Sequence, residues 1–234
     1  MNLSQYVAGI LERRESPSSP LPIVQAGHPA LRDTSRPWSG QLPPEQLREL
    51  VDAMVVTMRD APGVGLAAPQ VGIPLRLVVL EDRFAAGPED GDDAEAGDAD
   101  DDLLGRTPVP LRVLLDPEYS AEGTTTTFYW EGCLSVSGWQ SIVPRHRAVS
   151  WRALELLEDG EIVEVAEHWS GWPARIIQHE TDHLAGILCH DRAVPRSFVD
   201  DRYAPHYADL AEAIDRLGLE GDITRLAPGA VDLD

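Results

Sequence analysis

The chain has 234 residues, 43% of them hydrophobic, and a formal net charge of −21 from 40 acidic and 19 basic side chains. The length suits one domain with a sizeable core, and the charge argues against nonspecific nucleic-acid binding and against anionic membrane surfaces. Every basic residue is arginine, which excludes Schiff-base lysines, phosphate-loop lysines and other lysine-dependent chemistry.

No apolar run approaches the ~20 residues of a membrane span. The first residues lack the basic-then-apolar order of a signal peptide, so a cytoplasmic location is expected. Cys133 and Cys189 are the two cysteines, expected in a cytosolic chain to be free or metal-bound rather than paired.

In chain order, Leu3, Val7, Ile10 and Leu11 predict a short amphipathic helix within residues 3–14, followed by the polar, Pro-rich linker Glu15–Pro20. Residues 1–20 therefore read as an accessory arm, with a compact domain starting near Leu21. Leu47, Leu50, Val51, Met54, Val55 and Met58 recur at helical spacing across Pro43–Arg59. The run Gly63–Gly72 is rich in small residues, which let backbone approach a neighbour closely. Its one polar side chain, Gln70, is a candidate for a buried hydrogen bond.

Leu75–Leu80 and Leu111–Leu115 read as strands. Between them, residues 87–102 are low-complexity and strongly acidic, and are expected to form a disordered insertion. Thr124–Trp130 reads as a strand running into Glu131-Gly132-Cys133-Leu134-Ser135. Strands at 148–157 and 161–169 flank Asp159-Gly160, a hairpin signal. Tyr207, Leu210, Ala211, Ile214 and Leu217 mark a final surface helix within residues 193–234, and the tail past Gly218 looks loose.

The chemistry concentrates in Trp172–Leu188. Ser170 and Gly171 can cap a helix there, and Pro173 suits its first turn. His179 and His183 then lie one turn apart on one face and can grip one metal ion. Glu180 can reach a water on that metal without ligating it, the arrangement behind the His-Glu-x-x-His motif. A catalytic metal normally has three protein ligands and an open position. The third ligand is open between Cys133 and Cys189 on the residues alone. The extended metallopeptidase pattern fits at Gly186 but has Cys189 where a third histidine belongs, and no methionine follows Met58.

Three motifs in order resemble the peptide deformylase family: Gly63-Val64-Gly65-Leu-Ala-Ala-Pro-Gln70, Glu131-Gly-Cys133-Leu134-Ser135, and Gln178-His179-Glu180-Thr-Asp182-His183-Leu184. The resemblance covers roughly residues 21–192. It implies an α+β fold with antiparallel β-sheets wrapped around a central metal-binding helix. It implies Cys133, His179 and His183 as ligands of one divalent ion, foremost Fe2+, with Zn2+, Ni2+ or Co2+ as alternatives. Donor chemistry alone points to zinc, and Cys189 is then a core thiol.

The activity implied is removal of the formyl group from N-formylmethionyl peptides and nascent chains. Glu180 takes the proton of the metal's water as hydroxide attacks the formyl carbon, then protonates the departing amine. Gln70 and the Leu134 N–H meet the charge developing on the formyl oxygen. Gly65 lets the substrate backbone add as a strand. Val64, Tyr129, Glu131, Trp172 and Ile176 are assigned to the substrate pocket. Glu131 and Asp182 also read as carboxylates that hold a ligand imidazole or pair with Arg145.

Three departures from the family stand out: the acidic insertion, Ser137-Gly138-Trp139-Gln140 where some members place an arginine, and an acidic C-terminal region. From Asp200 onward there are nine acidic residues against three arginines, so ribosome contact through a basic C-terminal helix is not expected. The competing readings are a metallopeptidase and a non-catalytic binding module.

Overall fold

The computed structural model describes residues 2–83, 105–219 and the backbone of 231–232; the acidic stretch 87–102 lies outside the described residues. Helices are α1 (Leu3–Leu11), α2 (Pro44–Asp60), α3 (Gly171–Leu184) and α4 (Leu210–Leu217). Strands are β1 (Gly65–Ala67), β2 (Leu77–Asp82), β3 (Val109–Ala121), β4 (Thr125–Gly132), β5 (Trp139–His146), β6 (Ala148–Leu156), β7 (Ile162–Ser170), β8 (Val199–Asp200) and β9 (Val231–Asp232).

Two antiparallel sheets form, ordered β1-β2-β3-β6-β7 and β8-β5-β4-β9. The apolar run Leu77-Val78-Val79-Leu80 is buried on both faces, as a strand with layers on either side must be. Because strand side chains alternate, Leu77 and Val79 pack with Met54 and Met58 of α2, while Val78 and Leu80 pack with Ala174, Ile176 and Ile177 of α3. The first sheet is thus sandwiched between α2 and α3. The second sheet packs Phe128 and Ile142 against Leu210 and Ile214 of α4. This is the α+β architecture expected, with the sheets around a central helix.

Four sequence expectations change in detail. The N-terminal helix is no detached arm: Leu3, Val7 and Leu11 are buried in the same cluster as Leu47, Leu50 and Met54. Ser170 takes the N-cap position of α3, but its side chain makes no cap bond; the Gly171 N–H is held instead by the Arg147 carbonyl at 2.9 Å. Strand β5, absent from the sequence reading, pairs along the whole length from Gly132 to Thr126 of β4. In the tail, Val231 and Asp232 return to pair with Thr126 and Thr125. The Asp159-Gly160 hairpin forms as expected, with Gly160 at φ 91°.

Candidate metal centre and its cavity

Helix α3 is buried on nearly all sides, and His179 and His183 project from one face. Their Nε2 atoms lie 3.2 Å apart, and the Cys133 Sγ, just past the end of β4, lies 3.4 Å from His183 Nε2. Around a tetrahedral ion with bonds of ~2.0–2.1 Å to nitrogen and ~2.3 Å to sulfur, those edges are about 3.3 and about 3.6 Å. The three donors converge at coordination spacing, and lone pairs held so close repel unless a cation lies between them. The residues fit a divalent metal ion.

The protonation states agree with this. His179 Nδ1 lies 2.7 Å from Glu131 Oε1, so Nδ1 carries a hydrogen and Nε2 is turned to the convergence point. Burial opposes the charge of His179, but Glu131 and then Cys133 outweigh it and raise its pKa well above the ordinary value. These anions favour a positive charge at this place, a proton in the metal-free protein and a metal ion in its stead. Burial, then the neighbouring His179, hold His183 down to about 4. The Cys189 thiol, against burial and with help from His179, holds Cys133 down to about 6, so a thiolate prevails at neutral pH. Glu131, His179 and Cys189 form a second close group. It is the poorer site, since Glu131 is committed elsewhere and the Cys189 thiol is pushed up by Cys133 and by burial. Cys189 itself is 1% exposed and sits 3.2 Å from His190 Nδ1.

Behind His179 lies a buried charge network. Glu131 accepts from Arg145 at 2.5 and 3.1 Å and from Arg175 at 2.8 Å. Asp182 accepts from Arg145 at 2.5 Å, from Arg192 at 2.6 and 2.9 Å, and from the Tyr119 hydroxyl at 3.0 Å. Arg145, expected as a partner of these carboxylates, joins both; Arg175 and Arg192 were missed. Arg175 was visible as a cation one turn before His179 on the same helical face. Glu131, expected at the substrate pocket, is among the residues lining the cavity, and its carboxylate is engaged by the imidazole and two guanidinium groups.

In front lies a cavity of about 460 Å³, lined by Val64, Gly65, Gln70, Leu134, Trp172 and Ile176 together with Cys133, His179 and Glu180. Tyr129 is not among its lining residues; it is partly buried against the cluster that holds Phe128 and Ile142. Trp172 Nε1 donates to Asp82 at 2.8 Å, which fixes the indole at the cavity wall. Glu180 is 4% exposed, its Oε2 has no hydrogen-bond partner among the described residues, and burial raises its pKa. A Cβ on Gly65 would lie 2.3 Å from Glu180 Oε1, so glycine is required there to seat that carboxylate. Gln70 accepts from the Ala67 N–H at 2.8 Å, which turns its NH2 toward Ser135 Oγ at 3.4 Å and Cys133 Sγ at 3.6 Å.

A metal-binding donor set beside a buried, unpartnered carboxylate is the apparatus of a metal-dependent hydrolase. The comparisons with known proteins narrow that class. A family profile described as Polypeptide deformylase matches residues 20–198. Peptide deformylase 3 of Streptomyces avermitilis is 47% identical over 194 residues, covering 83% of this chain and 80% of that protein. Peptide deformylase 1 of Streptomyces coelicolor is 48% identical over 182 residues, covering 78% and 77%. Among solved structures, a Met-Ala-Ser-bound class I type b peptide deformylase from Acinetobacter baumannii aligns with a TM-score of 0.59 at 34% identity, over 75% of this chain and 99% of that one. The chain belongs to the peptide deformylase family, metal-dependent hydrolases that remove the N-formyl group from nascent peptides. Among the described residues no helix is long and apolar enough to cross a membrane.

Proposed function

We propose that Cys133, His179 and His183 hold a ferrous ion and that Glu180 moves the protons of deformylation. The observation that carries this reading is the unpartnered Glu180 Oε2 in the cavity onto which the three donors converge. When bound, the ion supplies Lewis acidity that makes a water more acidic and polarises a carbonyl. Glu180 accepts a proton from the attacking water and passes it to the departing amine, leaving formate and a free N-terminus. Its raised pKa brings it closer to neutrality, where one group can both take up and release a proton.

Gln70 Nε2 and the Leu134 N–H donate to the formyl oxygen as negative charge develops on it; losing one such donor costs about 10²–10³ in turnover. Val64, Trp172 and Ile176 receive the methionine side chain. Gly65 lies on β1, the edge strand of the first sheet, and that edge offers backbone groups to an added peptide strand. Two imidazoles and a thiolate also suit Zn2+, Ni2+ or Co2+. Ribosome contact, where it occurs in the cytoplasm, does not run through a basic C-terminal helix, since α4 carries Glu212 and Asp215 against Arg216.

The test is anaerobic. Iron-loaded protein should release formate from a short N-formylmethionyl peptide and nothing from its acetyl twin. Absence of formate from fully loaded protein would contradict the reading.

A further inference from the structure

Gln25 belongs to none of the three motifs, is exposed, and is not among the residues lining the cavity. Its amide nevertheless makes a two-point contact with the loop that follows Cys133. Gln25 Nε2 donates to the Leu134 carbonyl at 3.0 Å, and Gln25 Oε1 accepts from the Ser137 N–H at 3.1 Å. Its neighbours continue the seam: the Val24 N–H donates to the Gln70 carbonyl and the Ala26 N–H to the Ser135 carbonyl, both at 2.8 Å. Residues 24–26 thus join the two elements that carry Gln70 and Leu134.

Among the described residues the loop from Cys133 to Gly138 is otherwise held at its far end, where the Asp201 N–H donates to the Gly138 carbonyl at 3.0 Å, and by few bonds of its own. It holds one turn bond, from the Val136 N–H to the Cys133 carbonyl at 2.9 Å, and the Ser137 hydroxyl reaches the Leu134 carbonyl at 3.3 Å. A single amide that donates to one peptide group and accepts from another fixes both position and tilt of the intervening backbone. We infer that Gln25 is a positioning residue for deformylation. It fixes the Leu134 carbonyl and, across the Leu134 Cα, the orientation of the Cys133–Leu134 peptide whose N–H, in register with the Gln70 amide, meets the formyl oxygen. This rests on the donor roles given to Gln70 and Leu134 above.

Gln25→Met keeps the length of the side chain and removes both bonds. The expected result is a kcat about tenfold lower with KM within about twofold, since a small misplacement of a donor costs turnover rather than binding. Metal content per chain should stay unchanged, and backbone amides of residues 133–137 should exchange faster with deuterium. Gln25→Glu keeps the acceptor for Ser137 but offers no donor to the Leu134 carbonyl, so its kcat should also fall. Unchanged kcat in both variants overturns the inference, as does a kcat loss matched by metal loss, which would place the effect at Cys133. Gln70→Ala runs beside them. If that variant also keeps full kcat, the donor reading itself fails; if it alone is slow, only the role of Gln25 is lost.

Discussion

The two sides of the His179 imidazole are built in opposite ways. Behind the ring, Glu131 is 6% exposed and has His179, Arg145 and Arg175 as partners; in front, Glu180 is 4% exposed and its Oε2 has none among the described residues. Burial works against the charge of both. For Glu131, Arg145 and His179 outweigh it and hold the pKa well below the ordinary value, whereas for Glu180 burial prevails and raises it. Two carboxylates at nearly equal depth are thus separated into a fixed anion and a proton carrier, and partners rather than burial decide which is which.

Substitutions can break this contrast. The largest effect is expected on the front side: Glu180→Gln should lower turnover by about 10²–10⁴ with the metal retained, because only proton transfer is removed. Gln70→Ala comes next, with a loss of about 10²–10³ in kcat and little change in metal content. Behind the ring the readout changes. Glu131→Gln weakens the orientation of His179 and should lower metal affinity about 10–100-fold, measured by chelator competition, while turnover per bound metal stays near wild type.

Two smaller effects sharpen the picture in the metal-free protein. A carboxyl whose folded pKa is raised costs stability as pH climbs from its unfolded pKa through its folded one. Melting temperatures at pH 5 and pH 8 should therefore show Glu180→Gln gaining on wild type as pH rises; a constant difference would contradict the raised pKa. Cys189→Ala removes the main cause holding Cys133 at about 6, so the pH midpoint of Cys133 alkylation should move upward.

Much of the front side was legible in the sequence because it is written in short motifs. The His179–His183 spacing fixes two donors on one helical face, and Gln70, as the one polar side chain among small residues, had to find a buried partner. The back side was less legible because its members come from distant segments. Arg175, Arg192 and Tyr119 meet only after β3, α3 and the turn beyond it are packed. Strand β5 was hidden by Pro144, which breaks a simple strand pattern. Proline is tolerated there because β8 covers only Trp139 and Gln140, leaving the outer edge beside Pro144 free of β8 pairing. Gln25 lies in irregular backbone with no periodicity to mark it. Tyr129 is expected in the pocket by proximity to the cysteine motif, but it is partly buried against the Phe128 and Ile142 cluster and is not among the residues lining the cavity.

The most direct test measures bound iron per chain and formate released per bound iron in the same two anaerobic samples, Glu180→Gln and Glu131→Gln. The account predicts a crossed result: Glu180→Gln fully loaded and slow, Glu131→Gln poorly loaded and fast per ion. Equal losses of both quantities in the two variants, or a Glu180→Gln protein that turns over normally, would contradict the division of labour between the two carboxylates.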